Sequence, residues 1–144
     1  MKTETSVIVG RPIEEIWNFM TDWTNYPKMN PRIHEARKKS TGPLGEGTIV
    51  EARVRGFVQI IRVVEYEPNR KLTLEHASGP SNGTITTFAM ETNAEGKTRL
   101  TCTSDLKLSG FFKLIGPFVA GRARREVVTE LSNVKRVLES EAQS

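Results

Sequence analysis

The sequence predicts an α+β fold: a curved antiparallel sheet of six or seven strands wrapped around one long C-terminal helix, with two short helices after the first strand. Three observations carry this reading. Residues 3–9 and then 34–105 are rich in Val, Ile, Thr, Leu and Phe, and turn-forming Gly, Pro and Asn residues cut them at short intervals. Connections that short join antiparallel neighbours, so the middle of the chain is a meander rather than a βαβ array. After Gly110 the apolar residues recur at helical spacing for roughly seven turns, which makes a helix with one face to bury. Only the sheet is large enough to receive that face, and it must curve to do so.

The elements follow in order. Residues 3–9 are largely β-branched and end at Gly10, as a strand does. Pro12 suits the first turn of a helix, where its fixed φ and missing N–H cost nothing. Ile13, Ile16, Trp17 and Met20 form the apolar stripe of that helix, leaving Glu14, Glu15 and Asn18 to solvent. Asp22 caps a second short turn through Trp23, Asn25 and Tyr26, and Pro27 and Pro31 stop it from lengthening.

From His34 onward, breaks at Gly42 to Gly47, Arg55-Gly56, Pro68-Asn69, Gly79 to Gly83 and Asn93 to Gly96 delimit the strands of the meander. These are Thr48 to Val54, Phe57 to Glu67, Lys71 to Ala77, Thr84 to Thr92 and Thr98 to Leu106, preceded by one starting at His34. Val50, Ala52 and Val54 alternate with Glu51 and Arg53, and Leu100, Cys102, Ser104 and Leu106 with Arg99 and Asp105, so the first member of each contrast faces inward. Ile60 to Val64 is apolar on both faces, and its register is not readable from the pattern. In the long helix, Ile115, Val119, Ala123, Val127, Leu131, Val134 and Leu138 make the stripe, with Arg124, Glu130, Lys135, Arg136 and Glu139 assigned to the outer side. Gly116 and Pro117 mark either a hinge between Phe112 and Phe118 or the place where the helix proper begins.

Bulk properties narrow the class. A chain of 144 residues, 37% hydrophobic and 26% charged, is expected to form a single domain over residues 1–144 with an ordinary globular core. The one cysteine excludes an intrachain disulfide. Nothing reads as a signal sequence or as the roughly 18 apolar residues that span a bilayer, so the expectation is a cytoplasmic protein without stable membrane insertion. The net charge is only +4, and its clusters, Arg37 to Lys39 and Arg122, Arg124 and Arg125, lack the density and interleaved aromatics of a nucleic-acid reader. They read as solvated surface, and no nucleic-acid partner is expected. An edge strand in an incomplete sheet leaves homodimerisation open.

Several local phrases carry a family resemblance: Pro-Ile-Glu-Glu-Ile-Trp at 12–17, Asp-Trp-Thr-Asn-Tyr-Pro at 22–27, Gly-Pro-Leu-Gly-Glu-Gly-Thr at 42–48, Glu-Tyr-Glu-Pro-Asn-Arg at 65–70 and Thr-Arg-Leu-Thr at 98–101. In this order, and with the element order above, the chain resembles the START-like (SRPBCC) helix-grip superfamily, specifically its polyketide cyclase/dehydrase and lipid-transport branch. The resemblance covers nearly the whole chain. It implies an internal cavity for a small hydrophobic molecule, yet members range from enzymes to carriers, and fold alone does not choose between them.

The residues exclude several chemistries. His34, His76 and Cys102 have no local pairing for zinc, and no metal or other cofactor is expected. Gly42 to Gly47 lacks the Gly-Lys-Ser/Thr ending of a phosphate loop. Cys102 lies mid-strand without an evident base, no Gly-x-Ser-x-Gly elbow exists, and the acidic residues read as outward or turn positions rather than a converging pair. The remaining polar candidates for a cavity are His76, Tyr66, Ser104, Arg62 and Asp22. His76 shares strand parity with Leu72 and Leu74, which makes it the acid/base candidate, with Tyr66 as a donor to a substrate carbonyl. Trp17, Trp23, Tyr26, Phe88, Ser104, Phe112 and Val119 are the expected ligand-binding residues.

Three functions follow as expectations. The first is binding or carriage of a lipid, polyketide or aromatic metabolite. The second is a polyketide cyclase or dehydratase using His76 and Tyr66. The third is a filled-core module that meets an acidic protein through Arg122, Arg124 and Arg125. An open cavity separates the first two from the third, and convergence of polar groups inside it separates the enzyme from the carrier.

Overall fold

Strand β1 (Lys2–Val9) ends where Gly10 and Arg11 turn the chain into helix α1 (Ile13–Thr21) in the computed structural model, which describes residues 2–79, 81–108 and 110–141. The outermost positions of the 1–144 expectation, and Pro80 in the Gly79 to Gly83 turn, lie outside the described residues. Pro12 holds the N-cap in extended backbone, and Glu14 and Glu15 place negative charge in the first turn, where the helix dipole favours it. The apolar stripe of α1 buries Ile16, Trp17, Phe19 and Met20. Asp22 then accepts from the Thr24 backbone N–H at 3.1 Å and caps a single 3-10 turn (Trp23–Asn25), followed directly by α2 (Tyr26–Met29).

The meander runs through β2 (Ile33–Lys38), β3 (Ile49–Val54), β4 (Phe57–Glu67), β5 (Lys71–His76), β6 (Ile85–Thr92) and β7 (Thr98–Asp105). All neighbours pair antiparallel in one seven-stranded sheet of order β1-β7-β6-β5-β4-β3-β2. The β3–β4 hairpin closes through Arg55 and Gly56, with Val54 paired to Phe57; the φ of 91° at Gly56 belongs to the left-handed region that a residue without Cβ enters freely. A single turn, α3 (Phe111–Leu114), precedes the long helix α4 (Gly116–Glu141). Gly116 and Pro117 therefore begin the helix proper.

Two register shifts bend the sheet, between Ile33 and Glu35 on β2 and between Val63 and Glu65 on β4. Each inserts one residue opposite none and increases local twist. The second settles the strand whose faces the sequence left open. Gln59, Ile61 and Val63 point inward, the bulge at Val64 shifts the parity, and Tyr66 then lies opposite inward-facing Leu72.

The concave face is filled at one end and open at the other. Val9, Ile16, Met20, Val50, Val63, Leu72, Leu100, Leu131 and Val134 pack with little or no exposure around the C-terminal half of α4. Polar ties hold the helix there. Lys135 donates to the Ile8 carbonyl at 2.8 Å, Glu139 accepts from the Gly10 N–H at 2.8 Å, and Asn133 donates to the Met29 carbonyl at 2.8 Å. Lys135 and Glu139 are thus flank residues bonded to the β1 end of the sheet, not members of a free outer face. Beside the N-terminal half of α4 the sheet and helix separate. No described helix is long and apolar enough to cross a membrane.

Candidate functional site: a cavity between sheet and helix

The separation leaves a cavity of about 290 Å³. Its sheet wall comes from inward positions of β3 to β7: Ala52 and Val54, Gln59 and Ile61, Leu74 and His76, Thr86 and Phe88, and Ser104 with Leu106 just beyond β7. Alternation along each strand places them, since every second side chain faces the helix. Tyr26, Met29, Asn30, Arg32 and Ile33 close one side, and Ala123, Glu126, Val127 and Glu130 form the helical wall.

The sequence pattern places Glu130 on the outer side of the helix, and the structure corrects this. Ala123, Val127, Glu130 and Val134 recur at spacings of four, three and four, so the carboxylate occupies a position within the inward stripe. It is half-buried on the cavity wall. Removal from bulk water is the main cause that raises its pKa from 4.5 to about 7; a hydrogen bond from Asn30 opposes the rise and the nearby Glu126 charge adds to it. Asn30 donates through Nδ2 to Glu130 at 2.8 Å and to Glu126 at 2.9 Å, and its Oδ1 accepts from the Arg32 N–H at 3.0 Å. Arg32 pairs with Glu126 at 3.3 Å. The expectation that no two acidic residues converge is therefore overturned: helical spacing sets Glu126 and Glu130 side by side at the cavity wall, and the Asn30 amide donates to both.

His76 lines the cavity from the opposite wall, and its Nδ1 lies 3.0 Å from the Ser81 Oγ. Burial lowers its pKa from 6.5, against a smaller upward pull from Glu126, so the ring is neutral near pH 7. Tyr66 does not join it. Its ring meets Trp17 edge-on with centroids 5.2 Å apart, it is absent from the cavity wall, and it lies four β5 positions from His76 in register, about 13 Å along the sheet. The expected His76–Tyr66 pair is not formed: the Val64 bulge turns Tyr66 inward, but the β4–β5 register sets it opposite Leu72 at the filled end, away from His76.

Of the other expected ligand-binding residues, Tyr26, Phe88 and Ser104 line the cavity. Trp17 is in the filled core, and Trp23 is buried against Tyr26, with ring centroids 5.2 Å apart. Phe112 and Val119 lie outside the wall; Phe112 packs edge-on to Phe111 near the start of α4. Asp22 serves as a cap, and Arg62 pairs outward with Glu75 at 2.9 Å. Burial pushes the Cys102 thiol up to about 12 and raises the Tyr26 phenol as well, so both stay protonated at neutral pH. Among the described residues no cluster of three or more His, Cys, Asp or Glu is placed to hold a metal. The residues that sequence reasoning missed are Glu130, Glu126, Asn30, Arg32 and Gln59.

A sheet that grips a long helix over a one-sided cavity defines the helix-grip class. The sequence matches the model for polyketide cyclase/dehydrase and lipid transport over residues 1–139, and the chain belongs to that family. Its fold is similar to the Zhui aromatase/cyclase from Streptomyces sp. R1128 (TM-score 0.81, 16% identity, covering 99% of this chain and 95% of that one). It is also similar to a START superfamily protein from Mycobacterium smegmatis (TM-score 0.77, 18% identity, 95% and 98%). A third likeness is to the di-domain ARO/CYC StfQ from the steffimycin biosynthetic pathway (TM-score 0.80, 11% identity, 99% and 52%). At these identities the likeness establishes the fold. No curated protein matches the sequence.

Proposed function

We propose that the chain binds a small, largely apolar molecule bearing a carbonyl or hydroxyl group, and that Glu130 acts on it as the acid/base of a cyclisation or dehydration. The observation that carries this reading is a carboxyl on an apolar cavity wall whose pKa of about 7 leaves both protonation states populated at neutral pH. The cavity volume of about 290 Å³ is at the lower end for small-molecule sites and too small for a two-chain lipid. Phe88, Leu74, Ile61 and Val54 offer the apolar bed.

In a dehydration of a β-hydroxy ketone, the Glu130 carboxylate takes the proton on the carbon next to the carbonyl. The C–C double bond forms as the hydroxyl departs, and a proton delivered to that hydroxyl releases water. Neutral His76, on the facing wall and oriented through Nδ1 by Ser81, is the second group in reach of the cavity and fits the task of holding the carbonyl or passing the proton. Tyr66 has no part in this reading. The predominantly apolar wall supports a second reading, carriage without turnover. The open interior supports neither a filled core nor the partner-module expectation built on one.

Native mass spectrometry of gently purified protein, with organic extraction, identifies what the cavity holds. Turnover of that compound by the wild type and its loss in Glu130→Gln supports the enzyme; retention of the compound unchanged by both supports the carrier. A bare chain that also takes up no hydrophobic dye would sink both.

A further inference from the structure

We infer that the mouth of the cavity binds an anionic group, so that the ligand is a small amphiphile with its apolar body against the sheet and a carboxylate, sulfonate or phosphate between Arg122 and Arg125. This rests on the ligand-binding reading above and adds the charge of the ligand. A groove of about 500 Å³, lined in part by Arg32, Phe118, Arg122 and Arg125, shares Asn30, Arg32, Glu126 and Glu130 with the cavity. The two spaces adjoin at Glu130, so a molecule with its reacting atoms there is within reach of the groove.

The charge there is unbalanced. The carboxylates facing the groove are Glu126 and Glu130, and Glu126 is already engaged by Arg32 and Asn30. Arg122 and Arg125 make no ion pair or side-chain hydrogen bond among the described residues, whereas Arg37, Arg62 and Lys71 on the sheet, and Lys39 and Arg70 in its connections, all reach a carboxylate. From Leu106 to Arg125 the chain carries Lys107, Lys113, Arg122, Arg124 and Arg125 and no acidic residue. Guanidinium groups present paired donors that match carboxylate, sulfonate and phosphate oxygens. Phe118, 71% exposed and on the groove wall, gives the apolar flank beside them.

The test uses two fluorescent probes that share an anilinonaphthalene body and differ by one sulfonate: 1-anilinonaphthalene-8-sulfonate and neutral N-phenyl-1-naphthylamine. The wild type should bind the sulfonate about tenfold more tightly at low salt, with the advantage shrinking in high salt. Arg122→Gln/Arg125→Gln should erase the advantage and leave the neutral probe unchanged. Ala123→Phe, which fills the cavity, should lose both probes and so locate them. Equal affinities in the wild type, or an advantage that survives the double substitution, would overturn the anion site while leaving the cavity reading intact, provided the neutral probe binds. Binding of neither probe would overturn both. Sedimentation with phosphatidylglycerol vesicles separates the remaining source of anions: arginine-dependent vesicle binding without a sulfonate preference would make these residues a membrane surface and overturn the groove site.

Discussion

The Asn30 side-chain amide donates to the Glu130 carboxylate at 2.8 Å and so ties the C-cap of α2 to the middle of α4. The same amide's second hydrogen goes to Glu126, one helical turn earlier, at 2.9 Å. One neutral side chain thereby separates two carboxylates that would otherwise face each other across a poorly solvated gap. Asn30→Ala should cost about 1–3 kcal/mol, because it leaves both acceptors short of a donor. It should also move the Glu130 pKa further up, since the lost hydrogen bond was holding it down. Urea unfolding and carboxyl-carbon NMR titration read the two effects separately.

Glu130 also imposes a pH dependence on stability. The unfolded carboxyl ionises near 4.5 and the folded one near 7, so between those values the folded chain keeps a proton that the unfolded chain has released. Stability falls as pH rises through this window, by up to about 3 kcal/mol, and the penalty is complete above it. Glu130→Gln should remove the fall. His76 acts with the opposite sign, because its lowered folded pKa makes stability rise with pH up to about its ordinary value. It is present in both proteins and cancels in the difference between their denaturation curves at pH 5 and pH 8.

Tyr66 and His76 should separate by function. Tyr66→Phe keeps the ring against Trp17 and touches nothing in the cavity, so probe affinity and any turnover should stay within about twofold of the wild type. His76→Leu should alter both. A Tyr66→Phe variant with lost turnover would restore the tyrosine to the chemistry.

The two ends of α4 should respond oppositely to changes in side-chain volume. Leu131, 1% exposed, lies in the filled half, and Leu131→Ala should cost about 2–5 kcal/mol. Ala123→Leu extends into open space, so it should cost less than about 1 kcal/mol and reduce uptake of a neutral dye. Thermal or urea denaturation beside a dye titration checks both.

The fold was legible because its signals are periodic. Val50, Ala52 and Val54 alternate at period two, and Val127, Leu131, Val134 and Leu138 recur at helical spacing, and burial alone explains both patterns. Much of the site was not legible because it breaks the patterns. A carboxylate is ordinarily a solvent residue, so Glu130 was set outside although its spacing from Ala123, Val127 and Val134 already put it inside the stripe. Asn30 lies between two prolines and meets Glu126 across 96 positions of sequence, a contact no local pattern announces. The place of Tyr66 needs both its face, which the one-residue bulge reverses within the run Ile60 to Val64 that is apolar on both sides, and the β4–β5 register, which sets it opposite Leu72 rather than near His76; neither is written in the local pattern.

The strand order separates the sheet's seams by the length of chain each must close. From β2 to β7 every neighbouring pair is joined by its own hairpin or loop, whereas β1 pairs only with β7, bringing Lys2 opposite Asp105 after about a hundred residues. The meander can assemble from short-range encounters, while the β1 seam requires long-range closure. Because Lys135 and Glu139 bond to Ile8 and Gly10, docking of the long helix is coupled to that same long-range closure. The helical wall of the chamber, from Ala123 to Glu130, belongs to that same helix, so the meander by itself encloses no ligand site.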